Sequence, residues 1–481
     1  MNRKTIFRNE SQKLDSAFLE AGLPEKVLLV PLDFAKLTHY ACFCNGRGQY
    51  LRQAFPVKNN TEGLSYLIDA IERTRKAKGI GQKGHVIIGG EDSASYTRNF
   101  MDRLHQSGYL TVRMDAKEVH HQADSVDSST DKTALRAIAK TMLNRDVRET
   151  GGTDAYDKLR ELTRQRRRIV HLSTSVKNRI HTHADRLFPG FLSPQSALKP
   201  FSKSSLALMG KSFSAASIKR RSLTRLTTQL SRQGLREAAK VAAALKEQAN
   251  AAIIGNREAS QTSAQLLEAE LRLYETMQKN LECLDYECAQ SLASLPEAML
   301  TSVRGIGITL AACICAETGS VGLTSDCDQL NAYAGIVPKV SQTGGPESEA
   351  KVGGKRSRFN RVLKDYLLQA GNHLYLHGPE DLMEDARRRK TEGKAVETAM
   401  ARRFLRMARA LSKQGVVYLP QTLRCEKATS QDRAEYVLEV WPDLLVKWKR
   451  LNLHQQAFAP DTPLGKWRTV VQNIYEIELP L

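Results

Sequence analysis

The chain has 481 residues, with 72 Lys and Arg against 52 Asp and Glu, and 41% of its residues are apolar. That much apolar material is enough for the cores of about two to four domains, which excludes a wholly disordered chain. A net charge of +20 implies an anionic partner, with nucleic acid the first candidate and a merely soluble basic protein the plainer alternative.

Residues 1–25 read as an N-terminal extension. Met1-Asn2-Arg3-Lys4 followed by Glu10, Lys13 and Asp15 lacks the apolar stretch of a signal peptide, and no window approaches the roughly 18 apolar residues of a membrane span. A soluble, cytoplasmic chain with no membrane partner is expected. Residues 26–146 alternate between strand and helix patterns. Val27 to Leu32 and His39 to Cys44 are apolar runs with β-branched or aromatic members, Gly46 and Gly48 supply a turn, and Tyr50 to Val57 makes a third strand. A helix follows over Thr61 to Thr74, with Leu64, Leu67, Ile68 and Ile71 on one face. Val86 to Ile88 then forms a strand ending in Gly89-Gly90, Tyr96 to Leu104 a helix, and Leu110 to Met114 a fifth strand. The order β-β-β-α-β-α-β predicts a ribonuclease H-like α/β domain. A last helix is expected from Ser129 to Leu143, with Leu135, Ile138, Ala139 and Met142 facing the sheet.

Residues 147–231 form a basic helical linker with a Ser-rich insertion. Between Lys158 and Lys240 there are 19 Lys or Arg and three acids, a local balance of +16 that leaves +4 for the other 398 residues. From Arg160 to Arg186 the cations Arg164, Arg166, Arg167, Arg168, Lys177 and Arg179 interleave with Leu162, Ile169, Val170, Val176 and Ile180. Such a helix can bury one apolar stripe and offer guanidiniums to phosphates. Pro189-Gly190 ends it. Ser193 to Ser217 then reads as a mobile connection or insertion, leading to a second cation run at Lys219, Arg220 and Arg221. Residues 232–294 have few helix breakers, and Leu266, Leu267, Leu271, Leu273, Met277 and Leu281 suit a long helix or an antiparallel coiled-coil arm. The arm either spaces domains or dimerises.

Residues 295–378 form a mainly helical domain. Leu300 to Thr309 joins two helical patterns through Gly305-Ile306-Gly307, a helix-hairpin-helix-like turn beside Arg304 whose free amides could hold a phosphate. Tyr333, Ile336 and Val337 lead into a glycine-rich basic loop over Thr343 to Lys355, after which Arg356, Arg358, Arg361 and Lys364 enter a helix. Residues 379–481 form a charged helical extension in which Trp441, Trp448 and Trp467 close small cores; no chemistry attaches to it. The eight cysteines include two C-x-C pairs, Cys42/Cys44 and Cys313/Cys315, without partners at zinc-finger spacing.

The chemical constellation is acidic. Asp33 ends the first strand, Glu91 follows the fourth, and Asp127 and Asp131 lie four apart near the start of the last helix of the domain. Carboxylates at strand ends and on a neighbouring helix can hold two hard divalent ions about 4 Å apart, the arrangement that activates an attacking oxygen and stabilises a leaving oxygen at a phosphodiester.

With these residues in place, the sequence resembles the DEDD transposases of the IS110 and IS1111 insertion-sequence group over roughly residues 26–375. Leu32-Asp33-Phe34-Ala35-Lys36 is similar to that family's Asp-x-x-Lys, and Glu91 to Tyr96 to its Glu-x-x-Gly-x-Tyr. Thr130-Asp131-Lys132 followed by Arg136-Ala137-Ile138-Ala139 resembles its last acidic block. Leu159 to Arg164, with Lys177-Asn178-Arg179-Ile180-His181, is similar to its linker. A second block resembles Val303 to Gly307, Leu330-Asn331-Ala332-Tyr333-Ala334-Gly335-Ile336-Val337-Pro338, and Asn360-Arg361 with Leu363 to Gly371.

The resemblance implies a site-specific DNA recombinase of an insertion sequence. Its RuvC-like domain would use Asp33, Glu91, Asp127 and Asp131 with Mg²⁺, and its C-terminal domain would supply a serine nucleophile that forms a covalent phosphoserine link. It also implies composite active sites built in a dimer or tetramer, and a structured noncoding guide RNA as partner beside DNA. Two departures from the family matter. Ala134 and Leu135 stand where the family has Asp-Ala, so Asp127 or Asp124 must fill the vacancy or the metal site is weakened. Thr343-Gly344 stands where the family has Ser-Gly, which makes Thr343 the first nucleophile candidate and Ser341 the second. The rival readings are a transposase-derived binding protein without chemistry and a RuvC-like hydrolytic nuclease, which needs no hydroxyl nucleophile.

Overall fold

The computed structural model describes residues 12–91, 97–114, 116–123, 130–145, 147–149, 155–210, 213–320, 327–337, 340–341, 351–352, 359–391 and 395–481. The chain divides into two compact units, residues 1–154 and 155–481.

Unit 1 contains α1 (Gln12–Ala21), β1 (Leu28–Asp33), β2 (Thr38–Asn45), β3 (Tyr50–Lys58), α2 (Thr61–Ala77), β4 (Val86–Glu91), α3 (Arg98–Gln106), β5 (Leu110–Met114), α4 (Ala116–Gln122), α5 (Asp131–Leu143) and β6 (Arg148–Glu149). They build one mixed sheet in the order β3-β2-β1-β4-β5-β6. β1, β2 and β3 form an antiparallel meander, β4 and β5 join by parallel pairing, and β6 closes the edge antiparallel. Alternation along the strands sorts side chains between two cores. Leu28, Val30, Leu32 and Ile88 pack with α2 and α3, whereas Val27, Leu29, Ile87 and Val112 pack with α1, α4 and α5.

Several expectations need adjusting. The fourth strand runs on through Gly89-Gly90 to Glu91 because parallel pairing of Pro31 with Gly89 and Leu32 with Gly90 continues the ladder. A Cβ on Gly89 would lie 2.8 Å from Val112 and 3.1 Å from Met142 of α5, so glycine lets that helix sit close to the sheet. The last helix starts at Asp131 and not at Ser129. Thr130 is extended (φ −125°, ψ 158°) and caps the helix through the amide of Thr133. Asp127 and Asp124 lie outside the described residues.

Unit 2 is helical: α6 (Ala155–Leu187), α7 (Lys203–Leu208), α8 (Ala215–Arg220), α9 (Leu223–Arg232), α10 (Ala238–Ala251), α11 (Arg257–Ala293), α12 (Ile308–Thr318), α13 (Cys327–Tyr333), the two-residue strands β7 (Val340–Ser341) and β8 (Lys351–Val352), α14 (Arg361–His377), α15 (Glu380–Thr391), α16 (Val396–Gln414), α17 (Ser430–Lys449), α18 (His454–Ala457) and α19 (Pro463–Tyr475). The long helices α6 and α11 pair antiparallel within the chain. Arg166 meets Asp285, Ser173 meets Gln278, and Arg179 meets Glu270, one number rising as the other falls.

Of the two expectations for the Ser-rich stretch, a mobile connection or an insertion, its described residues fit a folded insertion. Ser202, Ser214 and Ser222 cap α7, α8 and α9 in turn, and Phe188, Phe191, Leu208, Phe213, Ile218 and Leu226 share one core with α10 and the ends of α6 and α11. Serine here punctuates short helices; the apolar residues between them carry the fold. The three tryptophans also close something larger than small local cores. One core runs from Leu159 through Ile314 and Leu374 to Trp441, Trp448, Trp467 and Leu479, so residues 295–378 and 379–481 share it. Among the described residues no helix is long and apolar enough to cross a membrane.

Candidate active site and nucleic-acid surfaces

Asp33 is the last residue of β1 and Glu91 the last of β4, and the parallel register that pairs Leu32 with Gly90 makes them neighbours. Asp33 follows Val27 and Leu29 on one face, and Glu91 follows Ile87 and Gly89 on the same face, the one covered by α5. Asp131 opens α5. The topology thus brings three of the four expected carboxylates to one end of the central strand pair.

Their electrostatics agree. Burial, and then the Asp131 carboxylate, push Asp33 above the ordinary carboxylate range. Burial, and then Asp33, push Glu91 up as well, while His120 on α4 opposes the rise. Like charges gathered in this way are a place for a cation. The set is not a finished metal cage: among the described residues no group of three or more His, Cys, Asp or Glu side chains is placed to hold a metal ion. Ala134, one turn along α5 from Asp131, is half-buried and adds only a methyl group.

The expected nucleophile loop springs from the hairpin β7–β8, in which Val340 pairs with Val352 and Ser341 with Lys351. Thr343, Lys355, Arg356 and Arg358 lie outside the described residues, and of Ser341 only the strand position is described. A polar cluster near the start of α14 has no counterpart among the sequence expectations. Glu317, 2% exposed, receives a two-pronged pair from Arg164 at 2.8 and 3.0 Å and a 2.7 Å bond from the Asn360 amide. Asn360 also donates to the Tyr333 hydroxyl at 3.0 Å and caps α14 through the amide of Leu363. Burial raises the Glu317 pKa, but Arg164, Asn360 and Arg160 outweigh it and hold the carboxylate below its ordinary value. The signal in the sequence was an acid directly after the apolar run from Ala311 to Ala316, where only a paired charge can be buried.

The basic helix is largely committed to its own fold. Besides Arg164, Arg166 pairs with Asp285 at 2.6 Å, Arg167 with Asp365 at 2.5 Å and Arg179 with Glu270 at 2.6 Å. Lys177 lies over the rings of Phe201 and Tyr274. Arg168 is exposed, as are Lys219, Arg220, Arg304 and Arg361, while Arg221 is half-buried. The Gly-x-Gly turn is present, with Gly305 left-handed at φ +87° and Gly307 capping α12. A seven-residue 3₁₀ helix, Pro296–Ser302, leads into it, and its carbonyls are occupied. The Lys447 ammonium donates to the oxygens of Thr301, Val303 and Ile306 at 2.6, 3.2 and 2.9 Å.

Comparison with known families places this geometry. A model described as "Transposase", of the DEDD IS110 type, matches residues 30–189, and one described as "Transposase IS116/IS110/IS902 family" matches residues 297–384. The chain belongs to the IS110 family of transposases. The two matches together span just over half of its length, and no individual curated protein gives a match. An IS110-family chain is an enzyme of DNA transposition in general terms. The first match holds Asp33, Glu91 and Asp131 and the second holds the hairpin and the Asn360 cap, whereas residues 190–296 and 385–481 lie outside both.

Proposed function

We propose that this IS110-family transposase cuts and rejoins DNA with a ribonuclease H-like carboxylate site in unit 1 and a hydroxyl nucleophile in the loop between β7 and β8. The observation that carries the reading is the register of β1 against β4, which sets Asp33 beside Glu91 on the face that α5 covers with Asp131 at its start. Asp33 and Glu91, whose proton affinity is raised by burial and then by a neighbouring carboxylate, fit Mg²⁺, a hard cation that prefers carboxylate oxygen. Bound there, Mg²⁺ would polarise the scissile phosphate and lower the pKa of the attacking hydroxyl. Asp33 and Glu91 would orient that cation, with Asp127 or Asp124 the remaining candidate ligand.

The attacking hydroxyl belongs to Thr343 first and Ser341 second. Its oxygen forms a phosphoester with the DNA phosphorus, the bond to the departing sugar oxygen breaks, and that oxygen takes up a proton. The phosphodiester count is conserved, so the reverse step can join a new strand without an external energy source. Composite sites assembled from two subunits, and a structured RNA that supplies sequence choice by base pairing, complete the reading by analogy with the family.

Trapping on nicked DNA substrates, followed by mass mapping of the modified peptide, tests the nucleophile. T343A should abolish the adduct and S341A should retain it. The opposite pattern moves the role to Ser341, and an adduct that survives both removes it from this loop.

A second reading, binding without chemistry, is favoured by the methyl group of Ala134 where the family has a carboxylate. Absence of any adduct from the wild-type chain with DNA, RNA and Mg²⁺ would support it.

A further inference from the structure

Residues 188–256, all but the first two of them between the two family matches, fold around the end of the α6–α11 pair as a small domain that shares one core with those helix ends. This stretch carries 11 Lys or Arg and two acids, Glu237 and Glu247, a balance of +9. Four arginines of α6, Arg164, Arg166, Arg167 and Arg179, are neutralised by acids of α11, α12 and α14. The cations at the α8–α9 corner are not. α8 ends on Lys219-Arg220, Arg221 is its C-cap, Ser222 caps α9, and Arg225 follows in the first turn of α9. None of these four cations forms an ion pair with an acid among the described residues.

The corner is electrostatically uncomfortable. Arg221 donates to Gln229 at 3.0 Å, Lys246 adds its ammonium on the Arg221 carbonyl, and burial together with Arg225 lowers the Arg221 pKa. Arg225 stands at the helix end where the backbone dipole disfavours a positive charge. An approaching anion relieves each of these costs. The domain offers no platform for unpaired bases: residues 188–256 hold no Trp or Tyr, Phe188, Phe191 and Phe213 are buried, and Phe201 is half-buried against His181 and Tyr274. Stacking on exposed rings is how single strands are held, so this surface suits the backbone of a duplex.

We infer that the domain of residues 188–256 grips the sugar-phosphate backbone of double-stranded DNA, independently of sequence, through Lys219, Arg220, Arg221 and Arg225. The inference rests on the reading of the chain as a DNA-processing enzyme, yet it requires no catalysis. Binding of the full chain to a long duplex of arbitrary sequence, measured in chelator across a range of KCl, therefore tests it separately from the carboxylate site.

The exposed triple change K219Q/R220Q/R225Q should lower the slope of log affinity against log salt by up to about 2.7, at about 0.9 for each phosphate that is no longer neutralised. The pair K219Q/R220Q alone should lower it by up to about 1.8. K427Q/K449Q/R450Q, which removes the same charge from exposed positions elsewhere, should leave the slope unchanged. An unchanged slope in the triple variant, or an equal fall in the control, overturns the inference while leaving the proposed function standing. A larger fall with single-stranded DNA or with hairpin RNA than with duplex DNA overturns the choice of partner. A wild-type chain that binds no duplex overturns this inference and leaves the proposed function to the adduct test.

Discussion

Asp33 and Glu91 have the same problem: each is partly buried beside another carboxylate, and each answers by holding its proton more tightly. The linkage has a definite sign. In the metal-free chain the folded state binds protons at pH values where the unfolded chain has released them, so the contribution of these groups to stability is full below their unfolded pKa values. It is lost as pH rises through the raised folded ones. D33N should therefore raise the melting temperature of unit 1 in chelator at neutral pH, by an amount equivalent to roughly 0.5–1 kcal/mol, while abolishing strand cleavage. Mg²⁺ should stabilise the wild-type unit and leave D33N unmoved in the same calorimetric scan. A134D returns a carboxylate one turn from Asp131 on α5 and should tighten Mn²⁺ binding in titration calorimetry; an unchanged affinity would mean that position 134 faces away from the ion.

At the scale of elements, a +16 tract turned out to contain two kinds of cation. Arg166 and Arg167 clamp α6 to α11 and α14, and Arg164 neutralises a carboxylate that is otherwise buried in α12. R166Q leaves the half-buried Asp285 with only Thr309 as a described partner, and should cost about 1–3 kcal/mol of unit 2 stability with little effect on the salt dependence of DNA binding. A large fall in salt slope without loss of stability would return Arg166 to the phosphate-binding set. Lys447 illustrates the same theme. Burial pushes its pKa down to about 8 against the pull of Asp443, yet its ammonium satisfies three carbonyls around the Gly305 turn. K447M should cost roughly 2–3 kcal/mol by orphaning them, read as a lower denaturation midpoint.

At the scale of the whole molecule, the legible parts were those with a strong period. The strands from β1 to β5 and the helices α2 and α6 were readable because apolar residues recur at two or at three to four along them. From that order followed the placement of Asp33 and Glu91 at the ends of neighbouring strands. Helix α1 and strand β6 have no strong period: among its described side chains α1 buries only Leu14 and Ala17 deeply, and β6 is two residues long. The folded domain of residues 188–256 was hidden by its serines, which read as linker composition until they are seen capping three short helices. The pairing of α6 arginines with Asp285, Glu317 and Asp365 was equally invisible, since charge counts along a sequence carry no information about which charges meet across 119 to 198 residues.

Anomalous diffraction from crystals of the full chain grown with duplex DNA and soaked in Mn²⁺ tests the carboxylate site most directly. At least one Mn²⁺ peak ligated by both Asp33 and Glu91 is expected, with Asp131 beside it, and that peak should vanish in D33N. Mn²⁺ bound elsewhere with those three carboxylates unliganded, or Asp33 and Glu91 carboxyl groups more than about 10 Å apart in the assembled complex, would contradict the carboxylate site, because ions about 4 Å apart cannot be shared across that gap.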